Sequence, residues 1–132
     1  MKKTMIKPVL LRDDYELLIS LINNRTRASY DRKNVNRLQT ELENSQVVKS
    51  NSFPINTVRL NSSVSIVDLA DKSEFKFQIV LPDRANFASG KISIVSPLGT
   101  AMIGYSVGQQ FTCPGPAGNK IFLIRKVQNA MP

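Results

Sequence analysis

The side chains able to do chemistry fall in three places. Asp13 and Asp14 stand side by side with Glu16 close behind, an arrangement that can hold a hard divalent cation or serve the first turn of a helix. Arg25, Arg27, Arg32 and Lys33 gather four cations in a short polar stretch, and no acid occurs between Leu17 and Tyr30. Such a cluster suits phosphate or an acidic protein surface and repels a metal ion. Cys113 is a lone thiol, and the chain has no histidine. Ser-His and Cys-His catalysis and a zinc site are thereby excluded, and Cys113 reads as a small buried apolar residue. The glycines at 99, 104 and 108 lack the Lys-Ser/Thr of a phosphate-binding loop. With no catalytic constellation left, the expectation is a protein that is not an enzyme and needs no cofactor or metal.

These residues need elements to position them. The 132 residues suffice for one compact domain and a small appendage, and 42% hydrophobic residues suffice for a core. The net charge of +8 favours acidic partners, with excesses of +5 in residues 1–60 and +3 beyond them. The basic start Met1-Lys2-Lys3 is not followed by the apolar run of a secretory signal, because Lys7, Pro8, Arg12, Asp13 and Asp14 interrupt it. No stretch approaches the roughly 20 apolar residues of a membrane span. A cytoplasmic protein without a membrane partner is expected.

After an extended start at Lys7–Leu11, Asp13 is placed to cap a helix, with Glu16 at the capping-box spacing and Leu17, Leu18, Leu21 and Ile22 as its apolar stripe. A second helix is expected over Asp31–Asn44, with Val35, Leu38 and Leu42 on one face. The two form a short helical hairpin whose tip carries Arg25, Arg27, Arg32 and Lys33. At about 1.5 Å per residue each arm reaches only about 15–20 Å. Residues 45–56 read as a linker.

Beyond it the period changes to two. Strands are expected around Val58 and Leu60, Val64–Leu69, Phe75–Leu81, Ile92 and Ile94, Gln109–Cys113 and Lys120–Val127, with Pro114–Gly118 as a hairpin loop. The phenylalanines alternate as core residues. Ser96-Pro97 followed by Ala101, Met102, Ile103 and Gly104 is the pattern that starts and stops a short helix. The fold class is α+β: a small antiparallel sheet with one short helix, preceded by the hairpin. The organisation expected is a hairpin and linker start over residues 1–50 and a sheet domain over 51–132.

The ordered motifs Asn61-Ser62-Ser63-Val64, Phe77-Gln78-Ile79-Val80 with Pro82-Asp83, Gly90-Lys91-Ile92-Ser93, Ser96-Pro97-Leu98-Gly99 with Ala101, Gly104 and Gly108, and Pro116-Ala117-Gly118 together resemble the C-terminal, FKBP-like domain of the GreA/GreB transcription elongation factors. The likeness covers about residues 57–128. It implies docking on RNA polymerase through the region of the Ser-Pro helix, with Ser96, Pro97, Leu98 and Ile103 as candidate contacts; capping and packing of the helix are the alternative roles for the same residues. The position before the serine, often acidic in that family, is Val95 here.

Full-length Gre factors carry a long coiled coil with acidic tip residues that help hold a catalytic Mg²⁺. This hairpin is much shorter and basic, and a truncated arm on a Gre-like domain resembles the Rnk type, the regulators of nucleoside diphosphate kinase. The likeness implies a regulator that occupies the secondary channel of RNA polymerase without stimulating transcript cleavage. A basic nucleic-acid-binding module using Arg25, Arg27, Arg32 and Lys33 is the alternative, and a peptidyl-prolyl isomerase is suggested by topology alone. The apolar hairpin faces allow a monomer or a weak homodimer.

Overall fold

The computed structural model describes residues 7–23 and 32–129. Strand β1 (Val9–Leu11) leads into helix α1 (Arg12–Asn23), and helix α2 (Arg32–Glu43) leads into β2 (Gln46–Val48). β1 and β2 pair in parallel, Val9 with Gln46 and Leu11 with Val48. Part of the expected linker is therefore a strand, and it closes the base of the hairpin. Periodicity gave no sign of it, because three residues are too few to show alternation.

α1 begins at Arg12, so Asp13 lies exposed within the first turn rather than before it. Leu18 is the helix's fully buried residue, whereas Leu17 is 46% exposed and off the buried stripe. Leu38 and Leu42 of α2 are buried as their spacing requires.

A five-stranded sheet follows, in the order β5 (Lys91–Ser93), β4 (Glu74–Val80), β3 (Ser63–Asp68), β7 (Lys120–Gln128), β6 (Gln110–Cys113). Three pairings are antiparallel, but β4 and β5 run parallel, so the sheet is mixed. Val58 and Leu60 are buried without forming a strand; the backbone there is held by Val58 N–H to Tyr105 O at 2.8 Å and by the Thr57–Ser106 bridge. Helix α3 (Pro97–Met102) packs over one sheet face, and α2 packs on α3. One core, with Leu18, Leu38 and Leu42 beside Val64, Ile66, Ile79, Ile94, Met102 and Ile124, serves hairpin and sheet together in an FKBP-like α+β arrangement.

Candidate functional site

The Ser96–Met102 segment is fixed from both ends. Ser96 Oγ accepts from Gly99 N–H at 3.1 Å and donates to Ser93 O at 2.7 Å, so one hydroxyl caps α3 and ties it to β5. Pro97 sits at the first helical position, where its missing N–H costs nothing. Thr100, nearly fully buried, donates to Ile94 O at 2.7 Å. Gly99 lets the helix approach so closely that a Cβ there would stand 2.4 Å from Ser93 O.

Of the four expected contact residues, Ser96, Pro97 and Leu98 are partly exposed and adjacent. Ile103 is a correction: it is fully buried in the core and has no surface to present. It follows α3 with an extended backbone, which turns its side chain inward.

Beside Ser96, Pro97 and Leu98 lies an open groove of about 460 Å³, walled also by Ala85, Phe87, Ile92 and Cys113, with Lys91 at its rim. Phe87 is 77% exposed. Its ring lies 6.2 Å from that of Phe77, which stacks on the 41% exposed Phe75 at 6.2 Å and 13°. Three rings thus continue the groove along the sheet. The expectation that the phenylalanines alternate as core is corrected for Phe75 and Phe87. Phe75 does share the face of Ile66, its partner in register, but α3 is about 9 Å long and β4 about 23 Å, so the helix cannot cover that end. The shortness of the Ser-Pro helix was the available signal for this uncovered row.

The other flank of α3 faces α2 across a groove of about 880 Å³ lined by Lys7, Lys33, Arg37, Glu41, Tyr105 and Phe111. Burial raises the Glu41 carboxyl above its ordinary range. Burial also raises the Tyr105 phenol, and the nearby Glu41 charge adds to the effect. The Cys113 thiol, partly buried, is likewise raised by burial, against the pull of Arg37.

Of the hairpin-tip cations, Arg32 and Lys33 are exposed in the first turn of α2, while Arg25 and Arg27 lie outside the described residues. Asp13 and Asp14 do not act together. Asp14 is buried and accepts from Arg59 Nε at 3.1 Å, Arg59 Nη2 at 3.0 Å and Leu60 N–H at 3.2 Å. Among the described residues no group of three or more His, Cys, Asp or Glu side chains could hold a metal ion, and no helix is long and apolar enough to cross a membrane.

Residues 53–129 match the family model described as "Transcription elongation factor, GreA/GreB, C-term". The chain is 36% identical over 93 residues to the transcription elongation factor GreA of Thermodesulfovibrio yellowstonii, covering 70% of this chain and 59% of that protein. It is 33% identical over 103 residues to GreA of Helicobacter hepaticus, covering 78% of this chain and 63% of that one. The chain therefore spans about three fifths of the length of these relatives. Among solved structures, the GreA/GreB elongation factor of Nitrosomonas europaea superposes with a TM-score of 0.75 at 27% identity, covering 95% of this chain and all of that one. Gfh1 of Thermus aquaticus, at 22% identity and a TM-score of 0.53, agrees in fold.

Proposed function

Since the chain belongs to the GreA/GreB transcription elongation factor family through its C-terminal domain, we propose that it docks on RNA polymerase at the secondary channel and does so without stimulating transcript cleavage. The observation that carries this reading is the apolar groove beside Ser96, Pro97 and Leu98, open to solvent and prolonged by Phe87, Phe77 and Phe75. A small domain that leaves such a surface uncovered has a partner for it, since isolated exposed apolar residues are common but contiguous aromatic rows are not. Ser96 and Pro97 set the angle at which Leu98 meets that partner, and Ile103 supports the helix from below.

The reading without cleavage rests on the arm. α1 and α2 have 12 residues each, about 18 Å, and the segment between them is basic. The Asp13-Asp14 pair stands in the first turn of α1, away from the tip, and Asp14 is engaged with Arg59. A metal for cleavage would want free carboxylate oxygens at the tip. On this reading the protein is a Rnk-type, non-enzymatic competitor of cleavage factors.

The test is binding of the purified chain to core RNA polymerase, with a full-length GreA as competitor and transcript cleavage in stalled complexes as the readout. Competitive binding that suppresses GreA-stimulated cleavage, and that Phe87→Ser weakens at unchanged thermal stability, is the expected result. Binding that GreA does not displace, or no binding, overturns the reading.

A further inference from the structure

The sheet has a second face that α3 does not cover. Side chains alternate along a strand, so with Val64, Ile66, Phe77 and Ile79 turned to the core, Ser65, Lys76 and Gln78 turn outward. In register, Ser65 stands between Lys76 of β4 and Lys126 of β7, and Lys91 of the edge strand β5 stands beside Gln78. The pairing of β3 with β7 then slips: Ser65 faces Lys126 but Ile66 faces Ile124, leaving Arg125 as the extra residue of a bulge. Such a bulge re-aims a side chain, and Arg125 reaches Glu74 on the outer face at 3.7 Å. Two consecutive cations thus project from the same side of β7, which a regular strand cannot arrange.

We propose that this outer face, through Lys76, Lys91, Arg125 and Lys126, binds the phosphate backbone of a nucleic-acid duplex without reading its sequence. Glu74 pairs with Arg125, and among the described residues Lys76, Lys91 and Lys126 have no ion-pair partner. All four cations are exposed, while Ser65 between two of them is small and nearly covered. Lys76 and Lys126 sit two strand spacings apart, about 10 Å, and their long arms can reach phosphates on both sides of a groove about 6–12 Å wide. A surface tuned for stability and solubility alone would intersperse acids among these cations.

A duplex fits better than a single strand because the outer face carries no aromatic ring on which unpaired bases could stack. Phe75, Phe77, Phe111 and Phe122 all share the core side. This surface is separate from the hairpin-tip cations and meets the groove beside α3 only at Lys91, so a test on Lys76 and Lys126 does not depend on polymerase binding.

The experiment is fluorescence anisotropy of a labelled mixed-sequence DNA duplex of about 20 base pairs, titrated with the full chain across a range of salt. Lys76→Gln/Lys126→Gln is expected to weaken binding several-fold at low salt and to lower the slope of log K against log salt by about 2, one for each phosphate contact. Lys76→Arg/Lys126→Arg retains binding, and Lys49→Gln, outside the five-stranded sheet, leaves it unchanged. Thermal melting of each variant accompanies the titration. No binding by the native chain, or a Gln pair that binds like the native chain, overturns the proposal. So does a polyglutamate peptide or the matching single strand bound as tightly as the duplex.

Discussion

Asp14 and Arg59, 45 residues apart, meet as a two-pronged ion pair, with Arg59 Nε on one carboxylate oxygen and Nη2 on the other. The same carboxylate accepts the N–H of Leu60, so the first helix is bound to the backbone as well as to a side chain of the sheet domain. Nearby, Val9 N–H donates to Gly104 O at 2.9 Å, and a Cβ on Gly104, whose φ is +84°, would stand 2.6 Å from Pro8 Cβ. Hairpin and sheet are therefore clamped at two points around a common core.

Removing the carboxylate leaves a mostly buried guanidinium and an unanswered N–H. Asp14→Ala is expected to cost about 2–3 kcal/mol in urea unfolding, while Arg59→Met, which keeps the aliphatic stem, costs less. A double-mutant cycle between the two sites measures their coupling, and a coupling near zero would contradict the clamp.

Gly99 is set against β5 with no room for a methyl group: Ser93 O and Ile94 Cα would lie 2.4 and 3.1 Å from its Cβ. Both are backbone atoms, so the helix itself must move. Gly99→Ala is expected to destabilise by about 1–3 kcal/mol and to weaken polymerase binding, since Ser96–Leu98 move with the helix. Ser96→Ala removes the cap alone and costs about 1 kcal/mol.

How much of this was legible depended on range along the chain. Local patterns were readable: the Ser96-Pro97 start of α3, the alternation of β4, the buried Leu38 and Leu42, and the ordered motifs that placed the C-terminal fold. Long-range partners were not. Asp13 and Asp14 looked alike at a helix start, and only the path of residues 57–62 decides that Asp14 is buried and ion-paired. Ile103 was a candidate contact only through the likeness to the family, with packing as its alternative role, and the extended backbone that buries it after α3 has no local signature. Phe75 and Phe87 read as core because periodicity reports which face a residue shares, not whether anything covers it. The bulge at Arg125 left no signal at all, for it exists only in the pairing of β3 with β7.

Asp68 and Lys120 supply a pH test. Lys120 Nζ donates to Asp68 Oδ2 at 2.9 Å and Ala70 N–H to Oδ1 at 2.9 Å. The hydrogen bond from Lys120, followed by that from Ala70, holds the Asp68 carboxyl below its ordinary value, and the same bond raises Lys120. A carboxyl lowered by folding stabilises above its unfolded pKa of about 3.9, and that stability is lost as pH falls through the folded value. The raised lysine contributes fully below about 10.4 and loses its contribution as pH rises through its folded value. Urea midpoints of the native chain and Asp68→Asn are expected to differ at neutral pH and to converge below about pH 4. Curves that stay parallel through that range would rule out the linkage.

Glu41 runs the other way. It is half-buried in the groove between α2 and α3, and burial rather than any partner sets its shift, raising the carboxyl. A carboxyl whose folded pKa lies above its unfolded one opposes folding once ionised, so stability falls as pH rises from about 4.3 through the folded value. Glu41→Gln removes the charge at nearly constant volume. It is expected to stabilise the chain modestly at neutral pH, by no more than about 0.5 kcal/mol given the solvent still reaching the site, and to leave stability at pH 3.5 unchanged. Because Glu41 also raises the Tyr105 phenol, the same substitution lowers the midpoint of the Tyr105 ultraviolet titration. A Tyr105 midpoint that does not move would separate the two groups and leave the groove without that coupling.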